Sequence, residues 1–220
     1  IGLPTDHLSP DKNIVMANGG TGVLELLILS TLDRNEKIGV FSPAYANVPA
    51  VSKGILNYEV ESIPITQDQS TATYTHPPLE EVRQFVKDKK IKTLIVETIS
   101  NPTGLVMTPE YLEGLSNIMK DVKGGWLITD EAYATMTMDA KTNAASGLTL
   151  LEKDPGARVG VAISFSKFMK ACGLRLGCLV STREDLIEAV GKVASPTLGP
   201  NVPAQHVLVE QMKAEKETPV

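Results

Sequence analysis

Cysteine is scarce in this sequence, and its scarcity limits the kinds of fold and site that are possible. Only Cys172 and Cys178 occur, with five residues between them. This spacing is neither a disulfide framework nor a Cys-x-x-Cys motif, and the three histidines are scattered without metal-ligand spacing. We therefore expect no metal site and a reducing compartment, for which the cytoplasm is the simplest choice.

Long apolar runs and an excess of positive charge are also missing. No stretch approaches the roughly 18 to 20 uninterrupted apolar residues of a membrane helix. The net charge is −5, and Lys89 and Lys90 form an isolated pair rather than part of a basic stripe. These absences indicate a protein that neither spans a membrane nor binds nucleic acid.

The sequence does contain enough apolar residues for a large core. Hydrophobic residues make up 42% of the 220 residues, which is typical of one large globular domain. The chain opens on Ile1 rather than Met and stops directly after a helix-like segment. We expect residues 1–220 to be a fragment of a longer protein.

Short apolar runs alternate with helix-like segments along the chain. The runs are continuously apolar, which predicts buried strands of a mostly parallel sheet. Helices on both faces of such a sheet give an α/β fold, a three-layer αβα sandwich. Predicted strands cover residues 37–41, 59–65, 93–98, 126–129, 159–165 and 176–181. Predicted helices cover residues 21–32, 79–89, 109–120 and 202–213. Thr108 is the predicted N-cap of the third of these helices. Residues 67–78 form the predicted exposed loop.

Glycines precede the first predicted helix. In the segment Asn18-Gly19-Gly20-Thr21-Gly22, the helix-start amides of Gly20 and Thr21 could face an anion such as a phosphate. Glycines before a helix are also ordinary turn residues, and the spacing matches neither a P-loop nor a dinucleotide-binding motif. Both interpretations remain open from this segment alone.

Two further segments follow predicted strands and are ambiguous in the same way. Tyr45, after Ser42-Pro43-Ala44, could lie against a flat ligand or pack in the core. Asn101 begins the sequence Asn-Pro-Thr-Gly, which ends at Gly104 and is ordinary turn chemistry. Neither segment predicts a function by itself.

Charged residues follow two of the apolar strands. Asp130 and Tyr133 come after the strand 126–129, and the carboxylate could hold a protonated ring nitrogen, pair with a lysine or cap a helix. The sequence Ser164-Phe165-Ser166-Lys167 ends another strand, and Arg175 comes eight residues after Lys167. A lysine at such a buried edge is unusual.

Taken together and in this order, the segments resemble the signature of the pyridoxal-phosphate-dependent aminotransferases of class I/II, the aspartate aminotransferase superfamily of fold type I. The resemblance runs from about Asn18 to about Gln205. It implies pyridoxal 5'-phosphate as the cofactor, with Lys167 as the Schiff-base lysine and Asp130 paired with the pyridinium nitrogen. By the same resemblance, Asn101 and Tyr133 contact the phenolate oxygen and Tyr45 stacks on the ring. Phosphate would be held by Gly20, Thr21, Ser164, Ser166 and Arg175.

The resemblance also implies a reaction and an assembly. An amino group would pass from an amino acid to a 2-oxo acid by a ping-pong scheme in a homodimer. The chain would be the large cofactor domain, without the N-terminal arm and the small domain that carries the arginine for the substrate carboxylate. Two alternatives remain: another pyridoxal-phosphate reaction (lyase, decarboxylase or cyclisation), or a cofactor-binding regulatory domain fused to a DNA-binding module.

Overall fold

The computed structural model describes residues 8–134, 136, 144–167, 169–197 and 199–217. Its centre is a seven-stranded sheet. The strands of this sheet are β1 Ile14–Ala17, β2 Lys37–Ser42, β3 Glu59–Pro64, β6 Ile91–Glu97, β7 Trp126–Asp130, β8 Val159–Ser164 and β9 Gly177–Val180. They lie in the order β1-β9-β8-β7-β6-β2-β3. A separate hairpin is formed by β4 Thr66–Gln67 and β5 Tyr74–Thr75.

The sheet is mostly parallel. The pairs β3–β2, β2–β6, β6–β7 and β7–β8 are parallel, whereas β9 lies antiparallel between β8 and β1. The central strand β7 is buried at every position, which explains why Trp126, Leu127 and Ile128 form a continuous apolar run instead of alternating with polar residues. The strands β2, β6, β7 and β8 therefore end at one common edge, which we call the carboxyl edge.

Helices cover both faces of the sheet. The α-helices are α1 Pro10–Asn13, α2 Gly19–Thr31, α3 Asn47–Pro49, α4 Leu79–Lys89, α5 Pro109–Lys120, α6 Gly147–Lys153, α7 Glu184–Ala194 and α8 Val202–Glu217, with a π-helix at Ala50–Ile55 and 3₁₀ turns at Cys172–Leu174 and Ser195–Thr197. Val82 of α4, Leu115 of α5 and Leu151 of α6 belong to one core cluster, and Leu27 of α2 and Val190 of α7 belong to the other. This confirms the predicted three-layer α/β sandwich.

Local signals explain several element boundaries. The Thr108 hydroxyl accepts a hydrogen bond from the Tyr111 amide at 3.2 Å, as expected of an N-cap residue ahead of Pro109. The predicted loop 67–78 is not entirely irregular, because β4 and β5 pair within it. None of the helices in the described ranges is long and apolar enough to cross a membrane.

Candidate active site

A cleft with a volume of about 160 Å³ opens at the carboxyl edge. The carboxyl ends of parallel strands are where ligand sites of α/β proteins lie. All of the site residues predicted from sequence line this one cleft: Gly20, Thr21, Tyr45, Asn101, Asp130, Tyr133, Ser164, Ser166, Lys167 and Arg175. Segments far apart in sequence meet there because parallel strands deliver their following loops to the same edge.

One end of the cleft combines the start of α2 with the Arg175 side chain. The Arg175 guanidinium donates from Nη1 to the Ser166 hydroxyl at 3.3 Å and to the Cys172 carbonyl at 3.1 Å. Gly19 has a φ of +71°, and a Cβ at this position would collide with the Arg175 guanidinium. Helix-start amides, a hydroxyl and a guanidinium are therefore close together without an intervening side chain, which suits a bound phosphate.

A second glycine, Gly177, allows the backbone of β9 to pack closely against the start of α2. Gly177 begins β9, and a Cβ there would lie 2.7 Å from the Gly19 carbonyl carbon and 2.7 Å from the Ile163 carbonyl oxygen. Real side chains do not tolerate such contacts with backbone atoms, so only glycine allows β9 to pass directly under the start of α2. The position of the helix start relative to Ser164 at the end of β8 thus depends on this contact.

Lys167 lies in the turn that follows β8 and is exposed to the cleft. The expectation of a lysine at a buried strand edge is wrong in this respect, because the chain leaves the sheet after Ser164 and carries Lys167 beyond the core. Its Nζ lies 5.5 Å from the centroid of the Tyr133 ring, within range of a cation–π contact. The amine is therefore available to a ligand in the cleft.

Asp130 ends β7 and is almost completely buried, with 8% of its surface exposed. Its Oδ1 accepts a hydrogen bond from the Ala132 amide at 3.0 Å, which closes a turn rather than capping a helix. Burial raises the pKa of Asp130 to about 6, and the amide hydrogen bond opposes this rise. A carboxylate in this position would gain from a cationic partner in the cleft.

Tyr45 is 37% exposed at the cleft, so the alternative interpretation of a core aromatic is wrong. Its hydroxyl accepts a hydrogen bond from the side-chain Nδ2 of Asn47 at 2.9 Å. A partly exposed aromatic ring beside a cleft can lie against a planar ligand.

Two glutamates near the cleft are not predicted as site residues from sequence. Glu131 is buried and accepts from the Thr129 hydroxyl at 3.0 Å, the Ser146 hydroxyl at 2.8 Å and the Gly147 amide at 2.6 Å, so it ties the end of β7 to the start of α6. Glu97 lines the cleft and contacts two loops through its carboxylate. An acidic residue at the end of an apolar strand is the only sequence signal for either of them.

Comparison with known proteins identifies the family of this chain. The sequence profile of the family described as "Aminotransferase class I and II" matches residues 4–219. The chain belongs to this family. The resemblance inferred from the motifs is thereby confirmed.

Individual relatives of this aminotransferase-family chain catalyse different reactions, to judge by their names. An aspartate aminotransferase from Thermotoga maritima is 29% identical over 213 residues, which cover 94% of this chain and 52% of that enzyme. A 1-aminocyclopropane-1-carboxylate synthase from Arabidopsis thaliana is 28% identical and is covered to 42%. The chain thus spans about half the length of the curated relatives it matches.

Solved structures agree with the fold of this aminotransferase-family chain. A pyridoxal-phosphate-bound C–S lyase from Staphylococcus hominis superposes with a TM-score of 0.80 at 20% identity, covering 96% of this chain and 51% of that one. At this identity the likeness concerns the fold alone.

The side chains at the cleft fit pyridoxal phosphate, the cofactor predicted from sequence, and the family of the chain supports this assignment. Gly19 has no side chain, so the space between the start of α2 and the Arg175 guanidinium is open to an anion. Asp130 is a buried carboxylate without an ion-pair partner among the described residues, as a site for a cationic ring nitrogen requires. Lys167 supplies an exposed amine in the same cleft.

Proposed function

We propose that this chain forms the cofactor-binding part of an enzyme that transfers an amino group between an amino acid and a 2-oxo acid. The proposal depends on one observation: Lys167, Asp130 and the predicted phosphate site beside Arg175 all line one cleft. These three features supply an amine, an anion for a ring nitrogen and a phosphate site, which together are the requirements of pyridoxal phosphate. Membership of the aminotransferase family supports the same conclusion.

Lys167 has two roles in this proposal. Its Nζ would hold the cofactor covalently, and the same amine, when unattached, would move the proton at the substrate α-carbon. When bound, pyridoxal phosphate supplies an electron sink for the electrons released at that carbon. The Tyr133 ring, 5.5 Å from Nζ, keeps the amine over the cleft while it is unattached.

Asp130 and the neighbouring polar groups orient the cofactor. The buried Asp130 carboxylate would pair with the ring nitrogen and keep a proton on it. Asn101 and Tyr133 would contact the phenolate oxygen, and Tyr45 would stack on the ring. The phosphate would be held by the amides and hydroxyl of Gly20 and Thr21, by the hydroxyls of Ser164 and Ser166, and by the Arg175 guanidinium.

We further infer a homodimer in the cytoplasm. The dimer is implied by the family resemblance, and the reducing compartment by two cysteines that are both free. Sedimentation equilibrium of the purified protein tests the dimer, and a monomer at micromolar concentration contradicts it.

Substituting Lys167 tests the proposal. We expect Lys167→Ala to abolish the visible absorbance band that pyridoxal phosphate gives with the protein, and to lower amino-group transfer by a factor on the order of 10³ or more, because the covalent step is lost. Lys170→Ala is the matched control, since Lys170 is an exposed lysine in the same segment that does not line the cleft. An unchanged visible band in Lys167→Ala contradicts the proposal.

A second candidate function is another pyridoxal-phosphate reaction on the same scaffold. It is favoured by the 1-aminocyclopropane-1-carboxylate synthase and the C–S lyase among the similar proteins. Product balance separates the two functions. Transamination yields one new amino acid for each 2-oxo acid formed, whereas a lyase or cyclase releases its product without consuming an amino-group acceptor.

A further inference from the structure

Glu97 occupies a central position at the carboxyl edge. It is the last residue of β6, and it lies directly opposite Asp130 in the parallel pairing of β6 with β7. On the other side, β2 pairs with β6 and ends at Ser42, just before the loop that carries Tyr45. The Glu97 side chain is half-buried and lines the cleft. It therefore lies between two loops that both deliver predicted cofactor contacts.

The Glu97 carboxylate accepts one hydrogen bond from each loop. The Tyr45 amide donates to Oε1 at 2.6 Å, and the Asn101 amide donates to Oε2 at 2.6 Å. Both distances are short for N–H···O bonds, as is typical when the acceptor is ionised. Each carboxylate oxygen thus fixes the backbone of a different predicted cofactor contact.

The surroundings of the Glu97 carboxylate perturb its pKa. Burial raises the pKa, the hydrogen bonds from the Asn101 and Tyr45 amides lower it, and the charge of Asp130 raises it further. The net direction is upward, so the two hydrogen bonds do not fully offset the burial. Carboxylates perturbed in this way are concentrated at binding and catalytic sites.

We propose that Glu97 is a positioning residue, which sets the spacing of Tyr45 and Asn101 at the cleft by holding both backbone amides with one carboxylate. This role rests on the proposed function, because it presupposes that Tyr45 stacks on the cofactor ring and that Asn101 contacts its phenolate oxygen.

The geometry specifies which substitutions disturb the role. Glutamine keeps the length of the side chain but offers one acceptor oxygen, and its amide group places N–H donors against the second backbone N–H. One of the two loops is then released. Aspartate keeps both acceptor oxygens but is shorter by one C–C bond, about 1.5 Å. It can hold the two amides only in part.

Cofactor titration of variants tests the proposal. We expect Glu97→Gln to raise the dissociation constant for pyridoxal phosphate at least 10-fold. We also expect it to shift the visible absorbance maximum and to reduce the visible circular dichroism, because the ring contacts of Tyr45 and Asn101 change. Glu97→Asp should show the same shifts to a smaller degree. Glu61→Gln is the matched control: Glu61 is a half-buried carboxylate on β3 that pairs with Lys37 and Lys89 away from the cleft.

The outcomes separate this inference from the proposed function. If the unmodified protein gives no visible band that depends on Lys167, the proposed function fails. If that band is present and Glu97→Gln and Glu97→Asp bind the cofactor with unchanged affinity, absorbance and circular dichroism, only the role of Glu97 is overturned. Should Glu97→Gln fail to fold, Glu97→Asp carries the test, and spectra of Glu97→Asp equal to those of Glu61→Gln overturn the proposal.

Discussion

Charged side chains at the two ends of the parallel strands differ in whether they form ion pairs. At the edge where β2 and β6 begin, the Lys37 amine lies 2.7 Å from the Glu59 carboxylate and 3.1 Å from that of Glu61, and the Lys92 amine lies 3.1 Å from that of Glu36. At the carboxyl edge, Lys167, Arg175 and Asp130 form no ion pair with another described residue. The charges named at the first edge are paired within the chain, whereas those at the carboxyl edge have no ion-pair partner among the described residues.

This contrast separates charges kept for folding and solubility from charges kept for chemistry. Exposed ion pairs contribute little to stability and can be exchanged at small cost. A buried carboxylate without a counter-ion lowers the stability of the folded chain, and such groups are concentrated at binding and catalytic sites. The following substitutions test whether the contrast is real.

Asp130→Asn should have the largest effect, in opposite directions on stability and on binding. Burial raises the pKa of Asp130 from 3.8 to about 6, so the folded state without cofactor favours the protonated carboxyl group. The stability that this group contributes is fully present below pH 3.8 and is lost as the pH rises through 6. The amide removes this loss and should raise the unfolding free energy at pH 8 by about 3 kcal/mol, since each unit corresponds to about 1.4 kcal/mol. Affinity for pyridoxal phosphate should fall on the order of 100-fold.

Urea unfolding at pH 5 and pH 8, together with cofactor titration, measures both effects. Asp121→Asn is the control, because Asp121 is an exposed partner of Arg83 at the other edge. Equal cofactor affinity in Asp130→Asn and the unmodified protein would break the contrast between the edges.

Gly177→Ala should have the next largest effect. The new Cβ would lie 2.7 Å from backbone atoms of Gly19 and Ile163, so β9 or the start of α2 must move. We expect a loss of about 2 kcal/mol in the free energy of unfolding, as in other overpacked sites, together with weaker binding of inorganic phosphate. Thermal unfolding and phosphate titration check this result.

Gly191→Ala supplies the comparison for that variant. Gly191 lies on α7, and a Cβ added there would meet no atom within 4 Å beyond the backbone of its own helix. Alanine at this position should therefore stabilise the helix by about 0.5 to 1 kcal/mol. If the two alanine variants have equal free energies of unfolding, the close contact of Gly177 with the backbone of Gly19 and Ile163 does not affect stability.

Lys92→Met should have the smallest effect. It removes the ion pair with Glu36 and a hydrogen bond from Nζ to the Lys123 carbonyl at 2.9 Å. Because both groups are partly solvated, we expect a change below about 1 kcal/mol in unfolding and no change in cofactor affinity. A large loss of cofactor binding in this variant would show that the two edges are coupled.

The sequence was sufficient for the elements whose signals are local. The continuous apolar runs predict β2, β6, β7 and β8 because these strands are covered on both faces. The four-residue strand β1, half-buried at most positions, carries too little signal to be predicted. The helix α7 is amphipathic, with Leu186 and Val190 facing the core, and its periodicity could have been recognised.

The candidate site also contains residues with a local sequence signal and residues whose placement depends on tertiary structure. Residues within ordered motifs, such as Asp130 and Lys167, could be predicted because their spacing along the chain carries the signal. Glu97 could not be predicted, since its contacts come from two loops that the strand register brings together. The exposure of Lys167 was likewise unpredictable, because it depends on where the chain turns away from the sheet.

The pairing of β1 with β9 has a consequence for the link between binding and stability. These strands are distant in sequence, so their contact closes a long loop of chain at an entropic cost. The start of α2 follows β1, and Arg175 precedes β9, so the two sides of the predicted phosphate site come from the two sides of this pairing. An anion bound between them would bridge the pair and, by mass action, stabilise the folded state against separation of the two strands.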